Sequence, residues 1–503
     1  KIFFKFSNIF IGFSFLKKDI RIKLSSYETI KNLSDEDINK IKLGRDKGYL
    51  ALYLIKNMNI KDKDILRKLS FLISYSRYKH CSLDLLIKNL DQENLNLQEL
   101  KDLFFFLPSP FAMYGDYERF EKIHKYLKKR IDILLNRKAG IHKESAYLTA
   151  IGHMCHFVYL LKAIDIGFID KKKFPIEIIK AKEGPANNEF FKLVNSKCEE
   201  LGIKVKQENY SYSEYEPDLE SWPTENNNYI FGRHIFGHID YYRELDKKKK
   251  NFLSPSKYQI ETAKKILIKH YGKIPKNFVG VHFRVSKDNQ SIRNVTEQSA
   301  KYAIEEILSH KLDCFLIGTK KLFEKKDNSL YKFLKYKNLF DTTNLGLSKF
   351  ERECLQIYIW SHSRFFIGSK SGGTNPPATF GTPTIWLDTH PTVEARPACR
   401  YDHIIPKKVF SFSKNKYLTL NELFEKENIA SQSTDKNFLQ YNGFSIESCE
   451  KVNIKNSIEE MIKQTSNKNK QKGEDNEFKI LNNEIFRVKK NFKQFKYGGK
   501  YFV

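Results

Sequence analysis

The segment from Arg364 to Leu387, RFFIGSKSGGTNPPATFGTPTIWL, constrains the fold more tightly than any other part of the chain. Its first residues, Arg364–Ile367, are apolar and aromatic, and they predict a buried strand. Its last residues, Thr384–Leu387, predict a second strand. A polar, glycine-rich turn at 368–373 follows the first strand at once. The segment therefore predicts a strand, a tight turn, a short helix and a strand in succession.

The turn and the helix expected after it have the features of an anion site. Gly372 and Gly373 permit unusual backbone angles and let a ligand approach the main chain closely. Asn375 is a preferred N-cap, and Pro376 suits the first helical position. A helix that begins there would direct its N–H groups and its positive dipole end at the turn. Ordinary glycine-rich β–α turns share this chemistry, so both interpretations stay open.

At 503 residues with 41% hydrophobic composition, the chain is long enough for several domains. The first part, 1–137, reads as all-helical, and helical hairpins of the tetratricopeptide kind are an alternative to a simple extension. A charge run and a Ser-Pro-Ser sequence at Asp246–Ser256 indicate a linker. We therefore divide the rest into two α/β regions, 138–250 and 251–432, and a C-terminal helical tail, 433–503.

Both middle regions show the strand and helix alternation of an α/β protein. In the first, strands at Ala146–Ile151 and Phe174–Ile179 flank an apolar helix at Met154–Ile166. This β–α–β pattern predicts a parallel sheet. In the second, a strand at Phe278–Val285 precedes a helix at Thr296–Leu308. The expected fold class is α/β, with two Rossmann-like domains and a cleft between them.

The net charge of +28 is compatible with a nucleic-acid or anionic-membrane partner. The lysines are dispersed and no recognition motif occurs, so we expect no nucleic-acid partner and at most a weak attraction to anionic membranes. The seven cysteines form no Cys-x-x-Cys pair, which favours a reducing cytosol. No uninterrupted apolar run of about 18 residues occurs, so we predict no transmembrane helix. The expected location is cytoplasmic, including the inner face of the membrane.

Period-two alternation along Phe278–Val285 puts His282 and Arg284 on one face, near the end of the strand. The planar guanidinium of Arg284 suits a phosphate group, and His282 can hydrogen-bond a phosphate or a hydroxyl. Arg293 and Asn294 follow in a polar loop and can add a second cation. The alternative is structural, with Arg284 in a salt bridge and His282 packed as a polar side chain.

Three side chains of the first α/β region are candidates for a catalytic base: His153, His238 and Glu183. His153 follows Gly152 at a predicted helix start, where the helix dipole disfavours the imidazolium form. His238 has a similar Gly-His setting with Asp240 nearby, and Glu183 lies in the polar AKEGP loop. The sequence does not separate these candidates, and a cap or turn role is the alternative for each histidine.

Several motifs occur in the order of a known family. V-H-F-R, I-R-N, K-Y-A-I and R-F-F-I-G-S-x-S-G with a later F-G-T-P resemble a family of bacterial glycosyltransferases that are similar to O-fucosyltransferases. The segments A-x-E-G-P-x-N, G-R-H-I-F-G-H-I and N-S-I-E-E-M-I also look like that family. The resemblance covers roughly 143–464, and the motifs of the second α/β region are its specific part.

The resemblance implies a GT-B-type pair of Rossmann-like domains, here with a helical N-terminal extension. It implies that 251–432 binds a nucleotide-sugar donor and that the acceptor lies against 138–250. Arg284 would contact the diphosphate and is also a catalytic candidate. The expected activity is metal-independent, fucosyltransferase-like sugar transfer to a bacterial surface glycan, glycoconjugate or lipid-linked glycan. The expected donor-binding residues are His282, Arg284, Arg293, Asn294, Ser369, Ser371, Gly372, Gly373 and Thr374.

No cofactor is expected, and a GDP-sugar is weakly favoured as the co-substrate. The sequence contains no H-E-x-x-H, P-loop or G-x-G-x-x-G motif, and the second α/β region has no evident D-x-D pair, so no metal is predicted. Without a metal, a leaving diphosphate needs cations and helix dipoles. Arg284, Arg293 and the turn at 371–373 are the groups expected to supply them.

One departure from the family leaves the sugar open. The family often has an acidic residue directly after H-x-R, whereas Val285-Ser286-Lys287 here precedes Asp288. Heptosyltransferases of lipopolysaccharide synthesis, which also use a Ser-Gly turn at a donor-site helix, are one alternative. Another is a non-catalytic helical-repeat interaction protein with a degenerate transferase module. The joint presence of His282, Arg284 and the turn argues against such decay.

Overall fold

A computed structural model of the chain describes residues 150–165, 177–180, 185–207, 221–223, 229–231, 253–284, 291–318, 335–389, 402–419, 443–466 and 500–501, and a few isolated positions. Two compact units divide the chain. One comprises 1–138, 411–445 and 488–492, and the other comprises 139–410, 446–487 and 493–503. The sheet and the candidate site lie in the second unit.

Seven α-helices are described in these ranges: α1 (Ile151–Asp165), α2 (Asn188–Glu200), α3 (Lys257–Tyr271), α4 (Glu297–Ser309), α5 (Lys349–His362), α6 (Pro376–Thr379) and α7 (Lys451–Ser466). Short 3-10 helices occupy Ser291–Arg293, Thr342–Asn344 and Gly372–Thr374. The first seven strands are β1 (Glu177–Lys180), β2 (Lys204–Gln207), β3 (Ser221–Pro223), β4 (Tyr229–Phe231), β5 (Phe278–His282), β6 (Asp313–Leu316) and β7 (Leu339–Asp341). The others are β8 (Phe365–Gly368), β9 (Thr384–Thr389), β10 (His403–Pro406), β11 (Lys408–Ser411), β12 (Lys416–Tyr417), β13 (Phe444–Glu447) and β14 (Lys500–Tyr501).

The largest sheet is parallel throughout, with the strand order β14-β10-β9-β8-β5-β6-β7. From β5 the chain proceeds outward through β6 and β7, then returns to the other side of β5 with β8, β9 and β10. This is the 3-2-1-4-5-6 order of doubly wound nucleotide-binding folds. The strand order reverses between β5 and β8, so a crevice is expected outside the carboxyl ends of these two strands.

Helices cover both faces of this sheet. On one face, α1, α2, α3 and α5 pack against Phe278 and Phe366, whose side chains are almost fully buried. On the other face, α4 and α7 pack against Val279, Val281 and Ile367. Successive strand residues thus serve opposite cores, which explains why these strands read as continuous apolar runs.

Local sequence signals set the helix boundaries. Ser256 caps α3 and forms a capping box with Gln259, and Ser348 does the same for α5 with Glu351. α3 ends at Gly272, whose φ of 68° is in the left-handed region that glycine adopts without strain. Each box satisfies N–H groups that the first helical turn leaves unpaired.

Most strand and helix predictions for the second α/β region are confirmed. β8 and β9 lie where the opening segment predicts strands, and α4 begins one residue after the predicted helix start. β5 ends at His282, three residues before the predicted end at Val285, and the N–H of Arg284 donates to a side chain, Ser369 Oγ, instead of to a neighbouring strand. Within the predicted helical tail at 433–503, the structure describes one helix, α7.

The prediction for the beginning of the first α/β region is partly wrong. The strand was expected to end at Ile151 and the helix to begin at Met154, but Ile151, Gly152 and His153 all belong to α1. The predicted strand at 174–179 is β1, at 177–180, and it pairs in parallel with β2 across α2. A parallel β–α–β unit is therefore present, and the remainder of the predicted strand at 146–149 lies outside the described residues.

One hydrophobic core joins segments on both sides of the boundary predicted at 250. Met154 and Phe157 of α1, and Phe190 of α2, belong to the same cluster as Trp360 and Phe380. Leu253, inside the predicted linker, is buried and donates its N–H to Thr379 O at 3.2 Å. The division into acceptor and donor domains remains a prediction.

The remaining sequence predictions concern the region 1–137, membrane-spanning helices and the cysteines. In the predicted helical region 1–137, only isolated residues between 95 and 134 are described, several of them helical. In the described part of the chain, no helix has the length and apolar character to cross a membrane. The five described cysteines are all buried free thiols.

We expect the buried aromatic core to dominate stability. Phe366→Ala should lower the free energy of unfolding by about 3–5 kcal/mol, because it removes a fully buried ring from β8. Phe350→Ala is the matched control, since Phe350 on α5 is 44% exposed and should cost less than about 1 kcal/mol. Urea unfolding followed by circular dichroism measures both. Equal losses would contradict the core assignment.

Candidate functional site

The candidate site lies at the reversal point of the sheet, where β5 and β8 end side by side. His282, the last residue of β5, is paired in register with Gly368, the last residue of β8. Just beyond, the N–H of Ser369 donates to His282 O at 3.2 Å, and the N–H of Arg284 donates to Ser369 Oγ at 2.7 Å. The loops that leave the two strands are therefore fastened to each other.

Two glycines make room for the His282 imidazole. A β-carbon at Gly318, in the turn after β6, would lie 2.6 Å from His282 Cδ2. A β-carbon at Gly373, in the turn after β8, would lie 2.6 Å from His282 Nε2. Both distances are far below van der Waals contact, so only glycine fits at either position. The ring is thus held between two stretches of backbone.

A chain of hydrogen bonds fixes which nitrogen of His282 carries the proton. The Thr374 hydroxyl donates to Ser369 O at 2.7 Å, so its oxygen must accept from Ser371 Oγ at 3.2 Å. The single proton of Ser371 is then committed, and its oxygen accepts from His282 Nδ1, 3.1 Å away. The neutral imidazole therefore holds its proton on Nδ1 and its lone pair on Nε2.

Burial also determines the charge of His282. It lowers the pKa of the imidazole to about 4, because the charged form would lose its hydration. Near neutral pH the ring is uncharged, and Nε2 is a hydrogen-bond acceptor or a base. The hydrogen bonds that fix the proton of His282 run through Ser371 and Thr374, which the sequence analysis predicts as site residues.

Hydrogen bonds join the two predicted arginines to the segments that follow β5 and β8. Arg284 Nη1 donates to Asn294 Oδ1 at 2.7 Å, and Arg293 Nε donates to Lys370 O at 3.1 Å. The loop that carries Arg293 and Asn294 thereby contacts the residues that follow both β5 and β8. The structure groups His282, Arg284, Arg293, Asn294, Ser369, Ser371, Gly373 and Thr374 at one edge of the sheet.

Two buried charged residues that the sequence analysis missed hold this loop. Lys407, between β10 and β11, donates through Nζ to Ile292 O at 2.9 Å and to Asn294 O at 2.6 Å. Asp388, in β9, accepts from the N–H and the hydroxyl of Thr296 at 2.9 and 3.0 Å. A carboxylate at the end of a buried apolar strand was the available signal for Asp388. Lys407 has no local signal.

The backbone of Asp388 also indicates that this residue holds the loop at 291–296. Its φ of 50° is uncommon for a residue with a side chain, and its carboxylate also accepts the N–H of Cys449 at 3.0 Å. The carboxylate therefore joins β9, the start of α4 and the segment before α7. This set of bonds compensates the unfavourable backbone angle and locks the loop at 291–296 in place.

The helix after β8 differs from the one on which the predicted anion site depends. α6 has only four residues, and prolines occupy its first two positions, which therefore offer no N–H. The N–H groups of Thr374 and Asn375 donate to Ser371 O at 3.1 Å and Gly372 O at 3.3 Å. Asn375 has helical angles and its side chain caps no N–H.

Gly372 packs closely against the backbone of α1. A β-carbon on Gly152, in the first turn of α1, would lie 2.8 Å from Gly372 Cα, and one on Gly372 would lie 3.1 Å from Gly152 N. The two backbones touch, and Tyr159 of α1 donates to Asn375 O at 3.4 Å. The start of α1 therefore abuts the turn after β8.

The contact between Gly152 and Gly372 bears on one of the predicted bases, His153. His153 lies in the first turn of α1, directly after Gly152, so its backbone is close to the turn at 372–374. Its side chain lies outside the described residues, as do His238, Glu183 and Asp240. Their assignment as bases stays a prediction.

No model of a known protein family matches the chain, and no curated protein matches it either. The fold and the site define the protein as an α/β protein with a doubly wound parallel sheet, with a neutral histidine and two arginines at its reversal point.

The lowered pKa of His282 predicts a specific pH dependence of stability. Between about pH 6.5, the usual pKa of an unfolded histidine, and pH 4, the unfolded chain binds a proton that the folded chain does not. His282 should therefore contribute stability above pH 6.5 that is lost as the pH falls toward 4.

Comparing unfolding of the wild type and His282→Asn between pH 7.5 and 4.5 tests this. The wild type should lose more stability over this range than the variant, and parallel curves would contradict a neutral His282. His270→Asn, on α3, is the control and should follow the wild type.

Proposed function

We propose that this protein is a metal-independent glycosyltransferase that binds a nucleotide-sugar at the carboxyl ends of β5 and β8. The observation that carries the proposal is the convergence of Arg284, Arg293 and neutral His282 at the reversal point of a 3-2-1-4-5-6 sheet. Doubly wound folds bind nucleotides at this place. The resemblance of the H-x-R and S-x-S-G motifs to fucosyltransferase-like enzymes supports the same assignment.

The arginines are suited to the donor diphosphate. A guanidinium presents its N–H groups in a planar fork that matches phosphate oxygens, and Asn294 orients that of Arg284. Arg293 adds a second positive charge on a loop that Lys407 and Asp388 hold in place. Charge that develops on the leaving diphosphate would thus meet positioned cations.

His282 would accept a hydrogen bond from the sugar or the acceptor through Nε2. Its pKa of about 4 makes it a hydrogen-bond acceptor more than a strong base. His153, His238 and Glu183 therefore remain candidates for the base that deprotonates the acceptor hydroxyl. The proximity of the α1 start to the turn at 372–374 favours His153 among them.

The finer features of the proposal follow the family resemblance. A GDP-sugar is the weakly favoured donor, and a bacterial surface glycan or lipid-linked glycan is the acceptor. The acceptor would bind against 138–250, the first of two Rossmann-like domains in a GT-B arrangement. The charge of +28 suits work at the inner face of an anionic membrane.

Two alternatives give different binding results. A heptosyltransferase-like lipopolysaccharide enzyme would also select one nucleotide-sugar from the series. A non-catalytic helical-repeat interaction protein with a degenerate transferase module would select none.

The proposal is tested by thermal unfolding of the full chain with GDP-, UDP-, ADP-, CDP- and dTDP-sugars in EDTA. A donor present at about 100 times its dissociation constant stabilises the native state by about 2.7 kcal/mol and raises the midpoint. Arg284→Lys keeps the charge but loses the planar fork, so the shift should largely disappear. Arg352→Lys, the same change at an exposed position on α5, should keep it.

Three outcomes separate the readings. A shift with one nucleotide-sugar that Arg284→Lys removes supports the proposed site. If both variants keep the shift in unfolding midpoint, the donor binds at another site. If no nucleotide-sugar shifts the midpoint, the proposal of donor binding is rejected. Because Gly372 packs against α1, Gly372→Val would disturb that contact and cannot serve as a test of ligand approach.

A further inference from the structure

A second group of polar side chains lies at the far end of α4, away from the candidate site. Ligand atoms of Glu306, His310 and Glu459 all lie within 4.8 Å of one another. Glu306 and His310 are four residues apart on α4, and Nε2 of the histidine lies 3.1 Å from Oε1 of the glutamate. Glu459 comes from α7, so two helices build the group.

Packing beneath the group holds the two helices together. Ala303 and Ile307 of α4 and Ile454 and Ile458 of α7 are fully buried in one core. The spacing of four residues puts Glu306 and His310 on one face of α4. Glu459 follows Ile458 directly, at the margin of that core. Buried neighbours therefore hold the two helices from which the three side chains extend.

The electrostatics of the group favour a cation. Two carboxylates this close repel each other, and Lys455, 3.8 Å from Glu459, offsets part of this repulsion. His310 caps the C-terminal end of α4, where the helix dipole is negative and stabilises positive charge. A hydrogen bond between Glu306 and His310 explains their pairing but not the approach of Glu459.

The donor set selects the kind of cation. One imidazole nitrogen with two carboxylate oxygens suits zinc and related transition metals, whereas magnesium and calcium prefer oxygen ligands alone. Three protein ligands leave coordination positions for water, as in open zinc sites. The partial exposure of the three side chains, 16%, 32% and 36%, leaves an entry path.

We propose that Glu306, His310 and Glu459 bind a divalent transition-metal ion that joins α4 to α7. The ion sits near the amino end of β6, which follows α4, whereas the candidate nucleotide site is at the carboxyl ends of the strands. The metal is thus structural and separate from sugar transfer. It fastens α7 to the face of the sheet that α4 covers.

Zinc binding to the full-length protein tests this proposal. The EDTA-treated wild type, His310→Gln and Glu459→Gln are dialysed against zinc, and bound metal is measured together with the unfolding midpoint. Each substitution should weaken this zinc site by more than about 100-fold, since both remove a direct ligand. The wild type should bind about one more zinc than either variant and show a larger rise in midpoint. Magnesium should give neither effect.

Glu305→Gln is the control, because Glu305 precedes Glu306 but pairs with Lys301 on its own helix. It should bind zinc as the wild type does. Equal zinc binding by wild type, His310→Gln and Glu459→Gln would overturn the proposal, as would loss of zinc in Glu305→Gln alone. The two ligand variants lie on different helices, so if one fails to fold in near-UV dichroism, the other decides.

Discussion

The parallel pairing of β5 with β8 is the constraint on which the candidate site depends. Because His282 and Gly368 are in register, β5 and β8 end side by side, and the segments that follow them leave the sheet at adjacent positions. Backbone and hydroxyl bonds then join Arg284 to Ser369 and the imidazole to Ser371. A slip of one residue would turn His282 toward the core that holds Val281, and the proton chain could not form.

The candidate site also requires close contact with backbone segments, and glycine makes this contact possible at three places. Gly318 and Gly373 bound the His282 ring, while Gly372 meets Gly152 of α1. Gly373, which in the sequence suggests a phosphate-binding loop, thus makes room for the His282 ring. α6 has only four residues and begins with two prolines, so the helix dipole predicted from the sequence is weak there, and Arg284 and Arg293 carry positive charge at the same edge of the sheet.

Local patterns carried the predictions that succeeded. Period two along β5 and apolar runs at β8 and β9 depend on neighbours in sequence. The failures involve distant contacts. The bond from Lys407 to Ile292, 115 positions away, and the packing of α7 against the sheet join segments that are distant in sequence, so neither contact leaves a local signature. The start of α1 was missed because Gly152 reads as a turn, although its packing against Gly372 requires glycine.

The loop at 291–296 shows how these levels combine. It carries both Arg293 and Asn294, yet its own backbone forms only one short 3-10 turn. Buried Lys407 and Asp388 supply opposite charges on its two sides, one to carbonyl oxygens and one to an N–H and a hydroxyl. Such bonds are worth more in a buried environment than in water. The orientation of Arg284 therefore depends, through Asn294, on charges that belong to β9 and to the end of β10, which makes the outer strands part of the site.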